Sequence, residues 1–197
     1  MNTEELKLVT EKVNLYALAT LSTSRYEHSV RVAVLARDLC ARFGLDPHAG
    51  YLAGIAHDIC KSGNDRWLLS LAVRDDGPIS RIEEKKPALL HGRAAAVLLA
   101  DEYQVTDLAV LEAVKNHTFG APGMDPLGQI LFVADKIEPG RTGLDPEFRA
   151  EILRQDLDGM ASLVLEDNIR YLAGRGKEVS PITQAMLDSL KRRKKDR

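Results

Sequence analysis

Residues 49–61 read AGYLAGIAHDICK, a run of small and apolar residues of helical length and pattern that ends on the doublet His57-Asp58. At a helix terminus two consecutive side chains leave in different directions, so an adjacent His-Asp pair can meet at one point without sharing a helical face. Working outward, four of the chain's five histidines fall at comparable positions. His28 stands in RYEHSVRVAVLARDL at offsets of four, seven and eleven from Val32, Leu35 and Leu39, on the stripe that this helix must bury. His91, in LLHGRAAA, is grouped with Ala95 and Leu98, and His117 closes the run Val110, Ala113, Val114. Asp135 follows Leu131 and Phe132 by one turn.

Any one histidine on an apolar face reads as a hydrogen-bonded core residue. Four imidazoles and two carboxylates buried together carry a large desolvation cost unless they share a cation, because isolated buried charges cost several kcal/mol or shift their pKa. Mixed imidazole and carboxylate donors suit a borderline divalent transition metal, which points to metal-dependent hydrolysis.

The 197 residues suffice for one substantial core, and 45% apolar content is ordinary globular usage. No stretch approaches the roughly 18 uninterrupted apolar residues of a membrane span, and MNTEELKLVTEK lacks a signal-type apolar segment, so a cytoplasmic protein without membrane association is expected. Cys40 and Cys60 read as small buried thiols in a reducing compartment. The net charge is −2, but the ending KRRKKDR holds six bases and one acid, which leaves a body near −7. An acidic body argues against a broad nucleic-acid surface. The tail itself reads as a solvated helix end.

Helix signals recur throughout and β-type alternation is absent, so the fold class is all-α. Asp46-Pro47, Asp125-Pro126, Asp145-Pro146 and Ser180-Pro181 each pair an N-cap residue with a proline at the first helical position. Ser24 to Glu27 has the form of a capping box, and Gly44 ends the helix of His28. Helices are expected near 3–20, 24–43, 47–58, 64–74, 91–104, 107–117, 126–138, 146–155, 156–174 and 181–194, with 75–88 and 118–125 as the loosest stretches. Residues 1–185 read as one domain and 186–197 as a basic helix end or tail.

The stretches quoted above, with NHTFGAPGM, ILFVADKIEPGR and SPIT, resemble the HD-domain metallophosphohydrolases, and within them the bacterial YqeK-like branch of symmetrical diadenosine tetraphosphate hydrolases. The likeness spans about residues 20 to 185. It implies an HD-domain helical bundle in which His28, His57, Asp58 and Asp135 hold a metal, often iron in this family. His91 and His117 either bind a second metal bridged by Asp58 or reach the substrate's phosphates, giving one or two ions per chain. Asp58, His91 and His117 are the catalytic candidates, with Asp58 also able to orient the attacking water. A dinucleoside polyphosphate is the implied substrate, and a homodimer is compatible with the pattern.

Arg31, one turn after His28, and Lys61, three residues after Asp58, are expected to face phosphate; for each the bland reading is a solvated surface cation. Arg141 ends IEPGR, where a short turn would bring it back over the metal. Thr118, Ser180, Pro181 and Thr183 are expected at phosphate or ribose alongside His28, Asp58, His91, His117 and Asp135, although Ser180 is also a plain helix cap. His48 matches no ligand position. The sequence departs from the family pattern at Cys60, where a small apolar residue is usual and oxidation sensitivity becomes a question, and in RTGLD, which is shorter than usual after Arg141. Three rivals remain on sequence alone: an HD phosphohydrolase of a guanosine alarmone, nucleoside monophosphate or cyclic dinucleotide; a nucleotide-binding metal protein without turnover; and an RNA-associated protein using the basic tail.

Overall fold

The computed structural model describes residues 1–75 and 77–195. Eleven α-helices and no strand occur among them, with single 3-10 turns at Val73–Asp75 and Pro87–Leu90. In chain order the helices are α1 (Thr3–Thr20), α2 (Thr23–Arg42), α3 (Pro47–Ala56), α4 (Asp65–Ala72), α5 (Arg81–Lys85), α6 (His91–Glu102), α7 (Leu108–Asn116), α8 (Pro126–Ile137), α9 (Pro146–Arg154), α10 (Leu157–Gly174) and α11 (Pro181–Lys195). The all-α expectation holds.

Local chemistry sets the starts. Asp46, Asp125 and Asp145 each accept a backbone N–H from the first turn of the helix that opens on the following proline, satisfying donors that have no intrahelical partner. The capping box expected at Ser24 does not form: α2 starts one residue earlier, and the extended Ser22 accepts the Arg25 N–H. Residues 77–88 are more ordered than their prolines imply. Ser80 and Glu83 form a reciprocal capping box that opens α5.

The centre of the fold is α2 and α3 packed together, with α7 and α8 against α3 and with α8 also against α2. Two glycines allow the first contact. A Cβ on Gly54 would overlap the backbone of Ala33, and one on Gly50 would lie 2.8 Å from the Ala36 carbonyl oxygen. The close approach brings His28 of α2 beside the end of α3, where His57-Asp58 emerge. Around this centre, α6 packs on α7 and α4, α10 covers α8, and α1 lies against α3. Val32, Leu39, Leu52, Ile55, Leu131 and Phe132 are all buried, as the helical stripes require.

Helix α11 crosses position 186 without a break, and Met186, Leu187 and Leu190 are buried, so the packed part of the chain extends at least to Leu190. Within the basic ending, Lys191 pairs with Glu166 at 2.8 Å and Arg193 with Asp158 at 3.5 Å. Residues 196 and 197 of the expected tail lie outside the described residues. No helix among the described residues is long and apolar enough to cross a membrane.

Candidate metal centre

Five elements converge on one buried cluster. His28 comes from α2, His57 and Asp58 from the turn after α3, His91 from the first turn of α6, His117 from the cap of α7, and Asp135 from the last turn of α8. All six side chains are buried. Gly92 makes one of these meetings sterically possible, since a Cβ there would sit 2.8 Å from the His117 ring and 2.9 Å from the Val114 carbonyl oxygen.

The Nδ1 atoms, which point away from the cluster, are all held. Nδ1 of His57 lies 2.6 Å from the Gly54 carbonyl oxygen, that of His91 2.9 Å from Ala88 and that of His117 2.7 Å from Val114, each three residues earlier in the chain. Nδ1 of His28 lies 3.1 Å from Oε1 of the buried Glu138. Carbonyl and carboxylate oxygens only accept, so a neutral ring at each of these positions carries its hydrogen on Nδ1 and turns the Nε2 lone pair toward the cluster. Helix ends explain the pattern: their final carbonyls lack intrahelical donors, and a ring at the cap supplies one.

The Nε2 atoms face oxygen and one another. His28 Nε2 is 3.1 Å from Asp135 Oδ1, His57 Nε2 is 3.5 Å from Asp58 Oδ2 and 3.8 Å from Asp135 Oδ1, and His91 Nε2 is 3.0 Å from Asp58 Oδ1. Nε2 of His28 and of His57 are buried with no hydrogen-bond partner. Buried lone-pair nitrogens that donate nothing, close to carboxylate oxygens, are the donor set of a transition-metal cation. Three triads have ligand atoms within 4.8 Å of one another: His28, His57, Asp58; His57, His117, Asp135; and Asp58, His91, His117. The rings form a row, with centroid separations of 5.3 Å for His28 to His57, 5.0 Å for His57 to His117 and 4.9 Å for His117 to His91.

Protonation favours ligation. Burial lowers His57, and burial together with neighbouring His91 and His57 takes His117 well below the ordinary imidazole value. Burial pushes the Asp58 carboxyl up, yet His57, His91 and Lys61 hold it well below the carboxylate range. Burial acts the same way on Asp135, where Lys136, His28, His57 and Arg141 prevail and keep it low. Neutral imidazoles and ionised carboxylates are the forms that bind metal without first losing a proton.

Cationic side chains surround the two aspartates. Arg25 donates to Asp58 Oδ2 at 2.8 Å, and Lys61 lies 3.6 Å from Asp58 Oδ1 and 3.0 Å from His91 Nε2. Lys136 and Arg141 reach Asp135 Oδ2 and Oδ1, each at 2.6 Å, and Arg141 also donates to the Asp135 carbonyl at 2.8 Å. The short RTGLD stretch therefore does not prevent Arg141 from folding back. Arg31 is placed differently from expectation: it donates through Nε to Glu138 Oε2 at 2.6 Å, so it meets the cluster only through the carboxylate that holds His28. Its guanidinium occupies the space a Cβ on Gly140 would need.

Thr118, Ser180 and Pro181 line a neighbouring cavity of ≈360 Å³, and the buried Thr118 hydroxyl has no hydrogen-bond partner. Thr183 Oγ1 donates to the Phe119 carbonyl at 2.8 Å, pinning α11 to the turn after His117. His48 is partly exposed at the start of α3. Cys60 is fully buried and its thiol is pushed up to about 12 by burial, which keeps the reactive thiolate scarce.

Arg25, Lys136 and Glu138 are contacts that motif reading missed. Arg25 precedes His28 by three residues and so shares its helical face, a signal available in the sequence. Lys136 had none.

The sequence matches the HD domain family over residues 25–140. A Bacillus subtilis protein named symmetrical bis(5'-nucleosyl)-tetraphosphatase is 30% identical over 163 residues, covering 83% of this chain and 87% of the relative. A Staphylococcus aureus protein of the same name is 36% identical over 132 residues, 67% of this chain and 68% of the relative. A crystal structure from Clostridium acetobutylicum, described as a predicted HD superfamily hydrolase involved in NAD metabolism, superposes with a TM-score of 0.84 at 26% identity over 93% of this chain and 97% of that one.

Proposed function

The chain belongs to the HD domain family, and from that membership we propose that it hydrolyses diadenosine tetraphosphate symmetrically, giving two molecules of ADP. The observation that carries the reading is the shared Asp58: it belongs to one ligand triad with His28 and His57 and to another with His91 and His117. Cationic side chains flank the cluster on both aspartates. A polyanion meeting metal ligands suits that arrangement. The names of the Bacillus and Staphylococcus relatives support the substrate class.

His28, His57, Asp58 and Asp135 are the residues we assign to the first cation. His91 and His117 are assigned to a second cation shared through Asp58, because two lone-pair nitrogens 3.0 Å apart repel each other unless a cation lies near both. When bound, the metal supplies Lewis acidity, lowering the pKa of water to about 7 and neutralising charge on a phosphoryl oxygen. We favour iron on the family's habit.

The remaining work belongs to the protein. Arg25, Lys61, Lys136 and Arg141 neutralise the phosphate chain, which the acidic body would otherwise repel. Asp58 orients the attacking water. Thr118, with its unpaired buried hydroxyl, and the Ser180, Pro181 and Thr183 segment take the nucleoside end of one half. In the reaction the water oxygen bonds to the second phosphorus from one nucleoside as the bridging bond to the third phosphorus breaks. The water's proton is lost to solvent, and the bridging oxygen leaves on the other ADP.

The test is hydrolysis by metal-loaded protein across diadenosine tetraphosphate, guanosine tetraphosphate alarmone, nucleoside monophosphates and cyclic dinucleotides. The dinucleoside polyphosphate is expected to show the highest kcat/KM. A preference for any other class, or absence of turnover with all of them, overturns the proposal.

A further inference from the structure

We infer that the open cavity lined by the end of α8, residues 140–144, α9 and α10 seats the second nucleoside of the dinucleotide, so that the tetraphosphate lies along the row of imidazoles with one nucleoside beyond each end. The inference rests on the substrate reading above and adds a binding site to it.

The row has two distinct ends. His28 and Asp135 form one, with Nε2 and Oδ1 3.1 Å apart; His117 and His91 form the other. The cavity containing Thr118 lies at the second end, since Asn116 and Thr118, the chain neighbours of His117, both line it. The α9–α10 cavity lies at the first end. Its inner wall includes Lys136 and Arg141, the two cations that also hold Asp135. A mononucleotide phosphohydrolase needs one nucleoside pocket beside its metals. A substrate with a nucleoside at each end, cut in the middle, needs two such pockets with the metals between them.

The second cavity has the chemistry of a nucleoside site. Its volume of ≈560 Å³ falls within the roughly 300–1,000 Å³ typical of small-molecule sites. Phe148 and Tyr171 give it aromatic surface, on which a base stacks irrespective of its identity. Tyr171 is 52% exposed, and Arg175 covers its ring at 4.7 Å from the centroid. Asp167 and Asn168, on the same wall, offer acceptors and a donor to ribose hydroxyls and the base edge. The cavity therefore joins two cations that also hold Asp135 to aromatic and hydrogen-bonding groups, the combination that phosphate followed by nucleoside needs.

Two variants test this in the metal-loaded protein: Tyr171→Ala, which removes the stacking surface, and Asn168→Trp, which fills the cavity without touching the cluster. Each is compared with wild type on diadenosine tetraphosphate and on adenosine 5'-tetraphosphate, which has a single nucleoside for the other cavity. The KM for the dinucleotide should rise about tenfold in both variants. For the mononucleoside compound, KM, or its inhibition constant if it is not turned over, should stay within about twofold of wild type. Unchanged KM for the dinucleotide, or equal losses on both compounds, overturns the second subsite while leaving the functional reading intact. A wild type that spares the dinucleotide and cleaves another nucleotide overturns the functional reading, and the subsite with it.

Discussion

Nε2 of His91 stands 3.0 Å from Nε2 of His117, while the Nδ1 of each ring is engaged by a backbone carbonyl. In their neutral forms neither ring has a hydrogen to place between them, which is the arrangement that the proposed second cation requires. Wild-type protein should bind two metals per chain, and His91→Ala or His117→Ala should bind one and lose hydrolysis. Elemental analysis after gel filtration reads the stoichiometry. One metal in wild type and in both variants would return these histidines to direct phosphate contact.

Glu138 orients His28 as the carbonyls orient the other three rings, and it does so from a position 110 residues away in sequence. Carboxylate partners of metal-bound histidines fix the tautomer and raise ligand basicity, and their loss typically costs 10–100-fold in metal affinity. Glu138→Gln should weaken metal binding within that range in competition with a chelator, with little change in the melting temperature of the metal-free protein. Unaltered affinity would reduce Glu138 to a partner of Arg31.

Arg141 contacts Asp135 with a side chain 38% exposed, outside the core. Arg141→Ala should raise the KM for substrate by roughly an order of magnitude and slow turnover, because a charge-assisted contact to phosphate is lost. The fold should persist. Wild-type kinetics in this variant would remove Arg141 from the site.

The most heavily bonded arginine lies outside the cluster. Arg93 donates to both oxygens of Asp75 at 2.7 and 2.5 Å and to the carbonyls of Gly77 and Pro78 at 2.7 and 2.9 Å, holding the turn before α5 against α6. The pair is part-buried, so Arg93→Ala should lose less than a fully buried pair would, on the order of 1–3 kcal/mol at neutral pH. Burial raises Asp75, but the bonds from Arg93 and Gly77 outweigh it and keep the carboxyl below its ordinary value. A group depressed on folding contributes stability above its unfolded pKa of about 3.9 and loses it as pH falls through the folded value. The gap between wild type and variant should therefore narrow only in strong acid. A gap independent of pH would contradict the ion-pair account.

Much of this was legible in the residues themselves. The stripe through Val32 and Leu39 put His28 on a buried face, and the Asp-Pro pairs marked three helix starts that the structure caps as expected. The histidine and aspartate cluster could be read because each member lies on an apolar face or at a helix end. Glu138 could not, since an acidic residue in IEPGR just past a helix looks solvent-facing, and only the packing of α2 on α8 buries it. The same packing gives Arg31 a carboxylate partner, Glu138, that its spacing from His28 does not announce. The order in 77–88 had a local signal in Ser80 and Glu83, hidden by the prolines on either side of it.

The most direct test of symmetrical hydrolysis is the nucleotide composition of an early time point with diadenosine tetraphosphate and metal-loaded protein free of kinase contamination, resolved by chromatography. Attack at the second phosphorus from either nucleoside predicts ADP as the sole nucleotide product. Equal amounts of ATP and AMP would mean attack nearer one end and would contradict the account, even with both metals in place.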